Sequence, residues 1–367
     1  MRLGDVATYI NGYAFKPSDW SEEGLPIIRI QDLTGNSYQA NRYNGVYFPR
    51  YEVNDGDVLI SWSASLGIYV WRGEKAVLNQ HIFKVVFDKT EVDKSFFVHQ
   101  VQNVLENAAS EAHGATMKHL TKPVFDALPF YLPSIEKQKE IASVLDKVTE
   151  LISLRKEQLA KLDRLVKSRF IELFGDPILN QKGYPCYTVD DVIEFQGGSQ
   201  PDKSFFEYEP TENNIRLIQI RDYKTDKYIT YIPKSKAKRF CTADDIMIGR
   251  YGPPIFQILK GIEGSFNVAL MKATPKKGNR EFIRHFLMQD CLLEYLESLS
   301  KRTAGQDGIQ MDKLKAYPFP YPPMELQEQF ADFAKAVEKS KLAIQQSLDK
   351  LETLKKSLMQ EYFGYSV

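Results

Sequence analysis

The chain has 367 residues, enough for two or three domains, and its 43% hydrophobic and 26% charged content is that of an ordinary globular protein. Basic and acidic residues balance to a net charge of zero, which excludes a histone-like global attraction to nucleic acid and leaves only local basic patches. Three scattered cysteines without paired spacing argue against a disulfide framework or a zinc knuckle. With no apolar run long enough to cross a membrane and no expected signal peptide, they predict a cytoplasmic protein.

The first globular segment, residues 1–133, is predicted to have mixed α/β structure. Short strands are expected at 27–30 and 57–60, a longer strand at 76–87, and a helix at 95–109, with glycines supplying the turns. Prolines then break the chain, and Ser134 is predicted to cap the N-terminus of a long helix.

Residues 134–175 and 322–367 are predicted to form two long helices, each with one narrow apolar seam. A hydrophobic residue recurs every seven positions in a charged background, which is the pattern of a coiled coil. Neither seam can stay exposed to water, so we expect the helices to pair antiparallel as a rod of roughly 60 Å. Gly175 is predicted to end the first helix, because Pro177 cannot continue it. The seam residues are Leu145, Ile152, Leu159, Val166 and Leu173 in the first helix, and Phe330, Val337, Ile344, Leu351 and Leu358 in the second.

The second globular segment, residues 176–321, repeats the first. Residues 3–9 parallel 189–195, and residues 27–32 parallel 217–222. The order of the matches never changes and their offset drifts by only a few residues, so the chain is a tandem duplication of one globular-domain-plus-helix unit. The predicted fold class is α+β: two repeated α/β domains separated by two long antiparallel coiled-coil helices, with pseudo-two-fold symmetry.

The sequence offers no catalytic constellation. It contains no Walker loop, no glycine fingerprint and no His-Glu-x-x-His. The segment Gly252-Pro253-Pro254-Ile255 lacks the amide or carboxylate and the aromatic ring of an adenine methyltransferase motif, so a structural turn is the better interpretation. Five histidines show no metal-ligand spacing, and no metal site is predicted.

Polar and aromatic residues in the predicted loops are candidates for contact with DNA. Segments 61–65 and 249–252 follow equivalent strands in the two repeats, where a side chain could reach a base edge. Four cations within residues 234–239 could engage phosphates, although a solvated basic loop is the alternative. Asn79 and Asn267 match across the repeats and are interpreted as structural, because two heads should differ where they read bases. The candidates are Ser61, Trp62, Ser63, Ser65, Gln80, His81, Lys118, His119, Lys234, Lys236, Lys238, Arg239, Arg250 and Tyr251.

Over essentially its whole length, the chain resembles the specificity subunits of type I restriction–modification systems. The marks are the opening Leu3-Gly4-Asp5-Val6 with its echo at 189–192, the strand at 56–61, the proline-then-helix junctions at 132–138 and 321–327, and the closing segments 172–175 and 361–364. The resemblance implies that residues 1–133 and 176–321 are target recognition domains, each reading half of a bipartite site in double-stranded DNA. The helices at 134–175 and 322–367 would set the spacer between the halves.

The same resemblance implies the partners. Two DNA methyltransferase (modification) subunits would dock, one per repeat, carrying S-adenosylmethionine and methylating adenine N6, and a translocating restriction subunit could join them. The chain itself would hold no cofactor, catalyse nothing and bind no membrane. Two alternatives stay open. One is the specificity chain of a related type II-like enzyme that cuts beside its bipartite site, and the other is a two-headed coiled-coil adaptor that binds protein.

Overall fold

The computed structural model describes residues 1–35, 41–111, 121–251, 255–300 and 308–364. The chain divides into two compact units: unit 1 comprises Met1–Glu157 and Gln345–Val367, and unit 2 comprises Gln158–Ile344. Each unit therefore combines one globular segment with part of each long helix. Within the described ranges, no helix has the length and apolar character needed to span a bilayer.

Unit 1 contains two four-stranded sheets. The first sheet is antiparallel, and the second contains one parallel pair. Its elements are α1 (Leu3–Val6), β1 (Thr8–Asn11), β2 (Leu25–Ile28), α2 (Ile30–Leu33), β3 (Arg42–Tyr43), β4 (Glu52–Val53), β5 (Val58–Ser61), β6 (Gly67–Val70), β7 (Ala76–Leu78), β8 (Ile82–Val86), α3 (Lys94–Glu111), α4 (Lys122–Ala127) and the first part of α5 (Ile135–Phe174). The sheet orders are β1-β8-β5-β6 and β3-β2-β7-β4, with β2 and β7 parallel.

Unit 2 repeats this arrangement after the end of α5. Its elements are β9 (Cys186–Thr188), α6 (Val189–Val192), β10 (Ile193–Gly197), β11 (Asn214–Ile218), β12 (Tyr231–Pro233), β13 (Phe240–Cys241), β14 (Ile246–Gly249), β15 (Gln257–Lys260), β16 (Gly264–Phe266), β17 (Leu270–Pro275), α7 (Arg280–Leu287), α8 (Asp290–Ser300), α9 (Met311–Lys315), β18 (Pro318–Pro320) and the first part of α10 (Met324–Phe363). The main sheets are β10-β17-β14-β15 and β12-β11-β16-β13, with β11 and β16 parallel, and β9 pairs with β18. Both sheet orders are those of unit 1, so the predicted duplication of a mixed α/β domain is confirmed.

The central strand β5 is buried on both faces because it lies between two cores. Val58 and Ile60 point into the core formed with α3, and Leu59 points into a smaller core under the second sheet. Side chains alternate along a strand, so a continuous apolar run fits a strand covered on both sides. Strand β14 divides its side chains between two cores of unit 2 in the same way.

Two strand predictions in unit 1 are wrong in extent. The predicted strand 76–87 is two strands, β7 and β8, which belong to different sheets and are joined by a turn in which His81 has a φ of 75°. No glycine or proline marks that turn, so the sequence reads as continuous. The predicted strand 27–30 ends at Ile28, because the Arg29 backbone N–H donates to the Asp32 carboxylate (2.7 Å) and opens the short helix α2.

Two buried glutamines explain the proline-then-helix junctions that recur in the repeats. Gln138 accepts a hydrogen bond from the backbone N–H of Asp93, just before α3, and donates to the Pro133 carbonyl, both at 2.9 Å. Gln327 makes the same two bonds in unit 2, to the N–H of Asn279 and the carbonyl of Pro322, both at 2.8 Å. These side chains are 1% and 0% exposed. Each one ties the start of a long helix to the helix of its own globular segment.

The long helices lie close to their predicted bounds and pair antiparallel within each unit. In unit 1 the early part of α5 packs against the end of α10: Leu145 shares a core with Met359 and Phe363, and the Lys156 ammonium lies 2.8 Å from the Glu352 carboxylate. Ser134 accepts from the N–H of Lys137 at 3.4 Å, as predicted for the N-cap of α5.

Unit 2 contains the reciprocal pairing, in which the end of α5 packs against the start of α10. Phe170 and Phe174 contact Phe330 with ring centroids 5.4 and 5.6 Å apart. Lys341 of α10 forms an ion pair with Asp163 of α5. Gly175 then ends α5 with a φ of 76°, the left-handed conformation predicted for its C-cap.

Burial along the seam is greatest next to the globular segments. Four seam residues are buried in the core of a unit, namely Leu145, Val166, Phe330 and Val337. The other six are partly exposed, namely Ile152, Leu159, Leu173, Ile344, Leu351 and Leu358. Of these six, Leu173 and Leu358 also pack against the cores of units 2 and 1, with part of their surface left exposed.

A largely buried histidine should make unit 2 sensitive to acid. His285 of α7 packs edge-on against Phe330 (5.1 Å), with Arg284, Glu281, Glu338 and Lys341 as its charged neighbours. Burial and the Arg284 guanidinium lower its pKa from 6.5 to about 4. The unfolded chain therefore binds a proton that the folded state does not. The contribution of this histidine to the free energy of unfolding should not change with pH above ~6.5, and it should fall by about 3 kcal/mol as the pH is lowered towards ~4.

Urea unfolding of the chain and of His285→Gln at pH 7 and pH 4.5 measures this loss. The variant should lose less stability on acidification than the parent, since other acid-sensitive groups are common to both. An equal loss in the two proteins would contradict the assignment.

Candidate nucleic-acid interface

In each unit the chain crosses itself at a glycine next to the turn between the two sheets. A Cβ atom on Gly12 would lie 2.0 Å from the Asn79 carbonyl oxygen, and one on Gly198 would lie 1.9 Å from that of Asn267. The Gly12 N–H donates to Ile82 and the Gly198 N–H to Leu270, both at 3.1 Å. Only glycine permits such an approach of two backbones. These two contacts, Gly12 with Asn79 and Gly198 with Asn267, are called the Gly–Asn crossings below.

The unit 1 crossing is flanked by a fixed tryptophan. The Trp62 backbone N–H donates to the His81 carbonyl at 3.2 Å, and its indole N–H donates to Asn11 Oδ1 at 3.1 Å. The indole stacks on Phe83 (5.7 Å between centroids) and contacts the His81 ring (5.0 Å). Among the described residues, His81 Nδ1 is buried without a hydrogen-bond partner. Trp62 therefore holds Asn11 and His81 in position.

The predicted serine-rich loop of unit 1 is mostly turned inward. Ser61 is 0% exposed, and its hydroxyl donates to the Ser65 carbonyl, while Ser63 is 6% exposed. Ala64 adopts a φ of 59°, which closes the turn. Ser61 and Ser63 therefore cannot reach a base in this conformation, and Ser65 is the exposed serine of the three. This corrects two of the predicted candidates.

The unit 2 crossing carries different side chains on the same backbone. The Arg250 N–H donates to the Ala269 carbonyl at 2.9 Å, matching the bond from Trp62 to His81. The Arg250 guanidinium lies 3.4 Å from the Val268 carbonyl and 5.3 Å from the Tyr251 ring centroid. Tyr251 is 50% exposed. The equivalent positions are thus Trp62 and Arg250, Gln80 and Val268, His81 and Ala269, and Asn11 and Gly197.

The basic segment lies in the connection from β12 to β13 and is exposed along its length. Lys234 donates to the Glu212 carbonyl at 2.7 Å, and the Lys236 ammonium lies 4.7 Å from the Phe205 ring centroid. Lys238 and Arg239 are also exposed. Lys118, His119 and Gly252–Pro254 lie outside the described residues.

Sequence reasoning missed Asn11 and the crossing glycines. The matched Asn79 and Asn267 were the available signal: extending that comparison to the first strand of each repeat pairs Gly12 with Gly198. The interpretation of the two asparagines as structural agrees with their place under the crossing, where the N–H of Asn79 donates to Ile28 and that of Asn267 to Ile218.

Comparison with known proteins gives one family. Residues 1–164 and 181–355 match the type I restriction modification DNA specificity domain. The type I restriction enzyme EcoBI specificity subunit of Escherichia coli is 29% identical over 168 residues, which are 45% of this chain and only 35% of that protein. The MjaVIII specificity subunit of Methanocaldococcus jannaschii is 22% identical over 395 aligned positions, covering 98% of this chain and 90% of that one.

Two solved structures share the fold. The type I restriction-modification S subunit from M. genitalium has a TM-score of 0.60 at 12% identity and covers 98% of this chain and 94% of that chain. A chain from a study of complex assembly and conformational transition of the type I R-M system has a TM-score of 0.52 at 17% identity, covering 100% and 97%. At these identities the likeness concerns the fold alone.

Proposed function

This chain belongs to the type I restriction modification DNA specificity family, and on that premise we propose that it reads a bipartite site in double-stranded DNA, one half with each unit. The observation that carries the proposal is the pair of Gly–Asn crossings: the same backbone in both units, with unlike side chains at equivalent positions. A shared scaffold with different contact residues fits two different half-sites. Each correctly read base pair contributes about 1–3 kcal/mol, and the link between the units makes the second contact intramolecular.

The long helices are the proposed docking surface for two modification subunits. Leu165 of α5 and Leu354 of α10 occupy equivalent positions in the repeats and are 47% and 46% exposed. We place one partner on each repeat, at these equivalent leucines. The partners would carry S-adenosylmethionine and methylate adenine, and a restriction subunit could join them in the cytoplasm. The chain itself would contribute recognition and no catalytic step.

Methylome sequencing tests this function. Cells that carry the chain with its modification subunit should gain one split methylated motif, whereas cells with the modification subunit alone should gain none. Exchanging residues 176–321 for the corresponding segment of another family member should alter one half of the motif, because each unit has its own sheets and core.

Two results would count against the proposal. The absence of any new methylated motif would remove the DNA-reading function itself. A change in both halves after the exchange would contradict independent reading by the two units.

A further inference from the structure

We propose that the side chains flanking the Gly–Asn crossings contact base edges, with Arg250 reading guanine in one half-site and the amides of Asn11 and Gln80 reading the other. The inference rests on the proposed function and assigns its base contacts to particular residues. The basic segment at 234–239 is assigned to the phosphates.

The backbone follows the same path at the two Gly–Asn crossings. Each crossing is closed by the same glycine-to-carbonyl approach, and the residue after β5 or β14 donates the same backbone bond across it. Side chains at equivalent positions therefore leave the backbone at equivalent places. A shared frame serves stability in both units, so the residues that differ on it are free to set what each unit recognises.

In unit 1 the flanking groups are amides. Asn11 is exposed, and its Oδ1 already accepts from Trp62, so the amide is left with N–H donors that suit acceptors such as guanine O6 or thymine O4. The half-exposed side chain of Gln80 makes no hydrogen bond among the described residues, and it keeps both the donor and the acceptor needed for adenine. Trp62 and His81 are positioning residues here, because their contacts are with protein groups.

In unit 2 the flanking cation is a single arginine. Gly197, Val268 and Ala269 replace the polar residues of unit 1, which leaves Arg250 as the side chain with hydrogen-bond donors at these positions. Its guanidinium is oriented by the Val268 carbonyl and the Tyr251 ring. A guanidinium held in this way presents two N–H donors that suit the O6 and N7 atoms of guanine. The Val268 side chain beside it is 39% exposed and suits contact with a thymine methyl group.

The basic segment has a different chemistry. Its four cations are exposed, and three of them are lysines, which act as point charges and not as bidentate hydrogen-bond donors. Lys236 rests against the Phe205 ring and Lys234 against a backbone carbonyl. Such groups suit phosphates, which fix the position of the protein on DNA without reading its sequence.

The test is methylome sequencing of the full complex carrying Arg250→Gln, with Arg280→Gln as the charge-matched control in the same unit. Arg280 is exposed on α7, away from the crossing, where its guanidinium lies near the Asp244 carbonyl. Arg250→Gln should lose about 5- to 150-fold of its preference for one G·C pair in a single half-site and accept adenine there. The control should keep the parent motif.

Gln80→Leu is the reciprocal test. It should reduce the base preference of the methylated motif only in the other half-site. A parent complex that methylates a split motif, with both half-sites unchanged in Arg250→Gln and Gln80→Leu, would overturn this assignment while the proposed function stands. Relaxation of the same half-site by both variants would also overturn it. A parent complex that methylates no split motif would remove the premise, and the assignment would fall with it.

Discussion

Replacing Phe363 with alanine is expected to destabilise unit 1 by about 3 to 5 kcal/mol, although Phe363 lies near the end of the numbered chain and most of unit 1 near its beginning. The side chain is 2% exposed and packs edge-on against Phe96 of α3, with ring centroids 5.6 Å apart. The equivalent Phe174→Ala should destabilise unit 2 instead, because Phe174 packs on Phe282 of α7 (4.7 Å). The closing Phe-Gly segments thus have a packing role.

Hydrogen exchange resolved by peptide distinguishes the two variants. Phe363→Ala should deprotect β1, β5 and β8, and Phe174→Ala should deprotect β10, β14 and β17. Leu354→Ala is the control within unit 1, since its side chain is 46% exposed and its removal should cost well under about 1 kcal/mol. Loss of protection in unit 2 on Phe363→Ala would show that the packing is assigned to the wrong unit.

Gly198→Ala is expected to distort the unit 2 crossing, because the new Cβ atom would lie 1.9 Å from the Asn267 carbonyl oxygen. Two backbone segments must separate to admit it, and we expect a loss of about 2 to 4 kcal/mol. Gly12→Ala should do the same in unit 1, where the distance is 2.0 Å. Thermal unfolding measures the loss, and chemical shifts of the flanking amides report the local distortion.

The neighbouring residue supplies a matched control for this prediction. A Cβ atom on Gly197 would meet its nearest neighbour, an Arg250 guanidinium nitrogen, at 3.7 Å, which is an ordinary contact. Gly197→Ala should therefore leave the free energy of unfolding within about 1 kcal/mol of that of the parent chain. Equal losses for Gly197→Ala and Gly198→Ala would mean that the close approach to the Asn267 carbonyl oxygen does not set the cost.

Periodicity and internal comparison predicted the parts of the fold that depend on local sequence. The seven-residue repeat predicts two helices, and Gly175 marks the end of the first because its left-handed conformation follows from its chemistry. The repeat does not predict which globular segment the end of each helix packs on, because the same heptad pattern would fit either segment. That choice depends on aromatic packing among residues far apart in the chain, such as Phe363 with Phe96.

The sequence named candidate contact residues, and the structure shows which of them are exposed. The loop after β5 lies beside the turn that contains His81, where the sequence predicted a continuous strand, and polarity alone suggested exposure for Ser61 and Ser63. A serine hydroxyl that satisfies a backbone carbonyl in a tight turn is as compatible with burial as with binding. Asn11 was missed because its position depends on a hydrogen bond to Trp62, which local sequence cannot encode.

The packing of Phe363 in unit 1 has a consequence for synthesis on the ribosome. Residues 1–157 emerge first, but the helix segment that completes their core follows only after all of unit 2, residues 158–344, has been made. At about 5–20 residues per second this delay is roughly 10 to 40 s. During that time Phe96 and its neighbours lack the Phe363 side chain that covers them, so unit 1 completes its core only after unit 2 has been made.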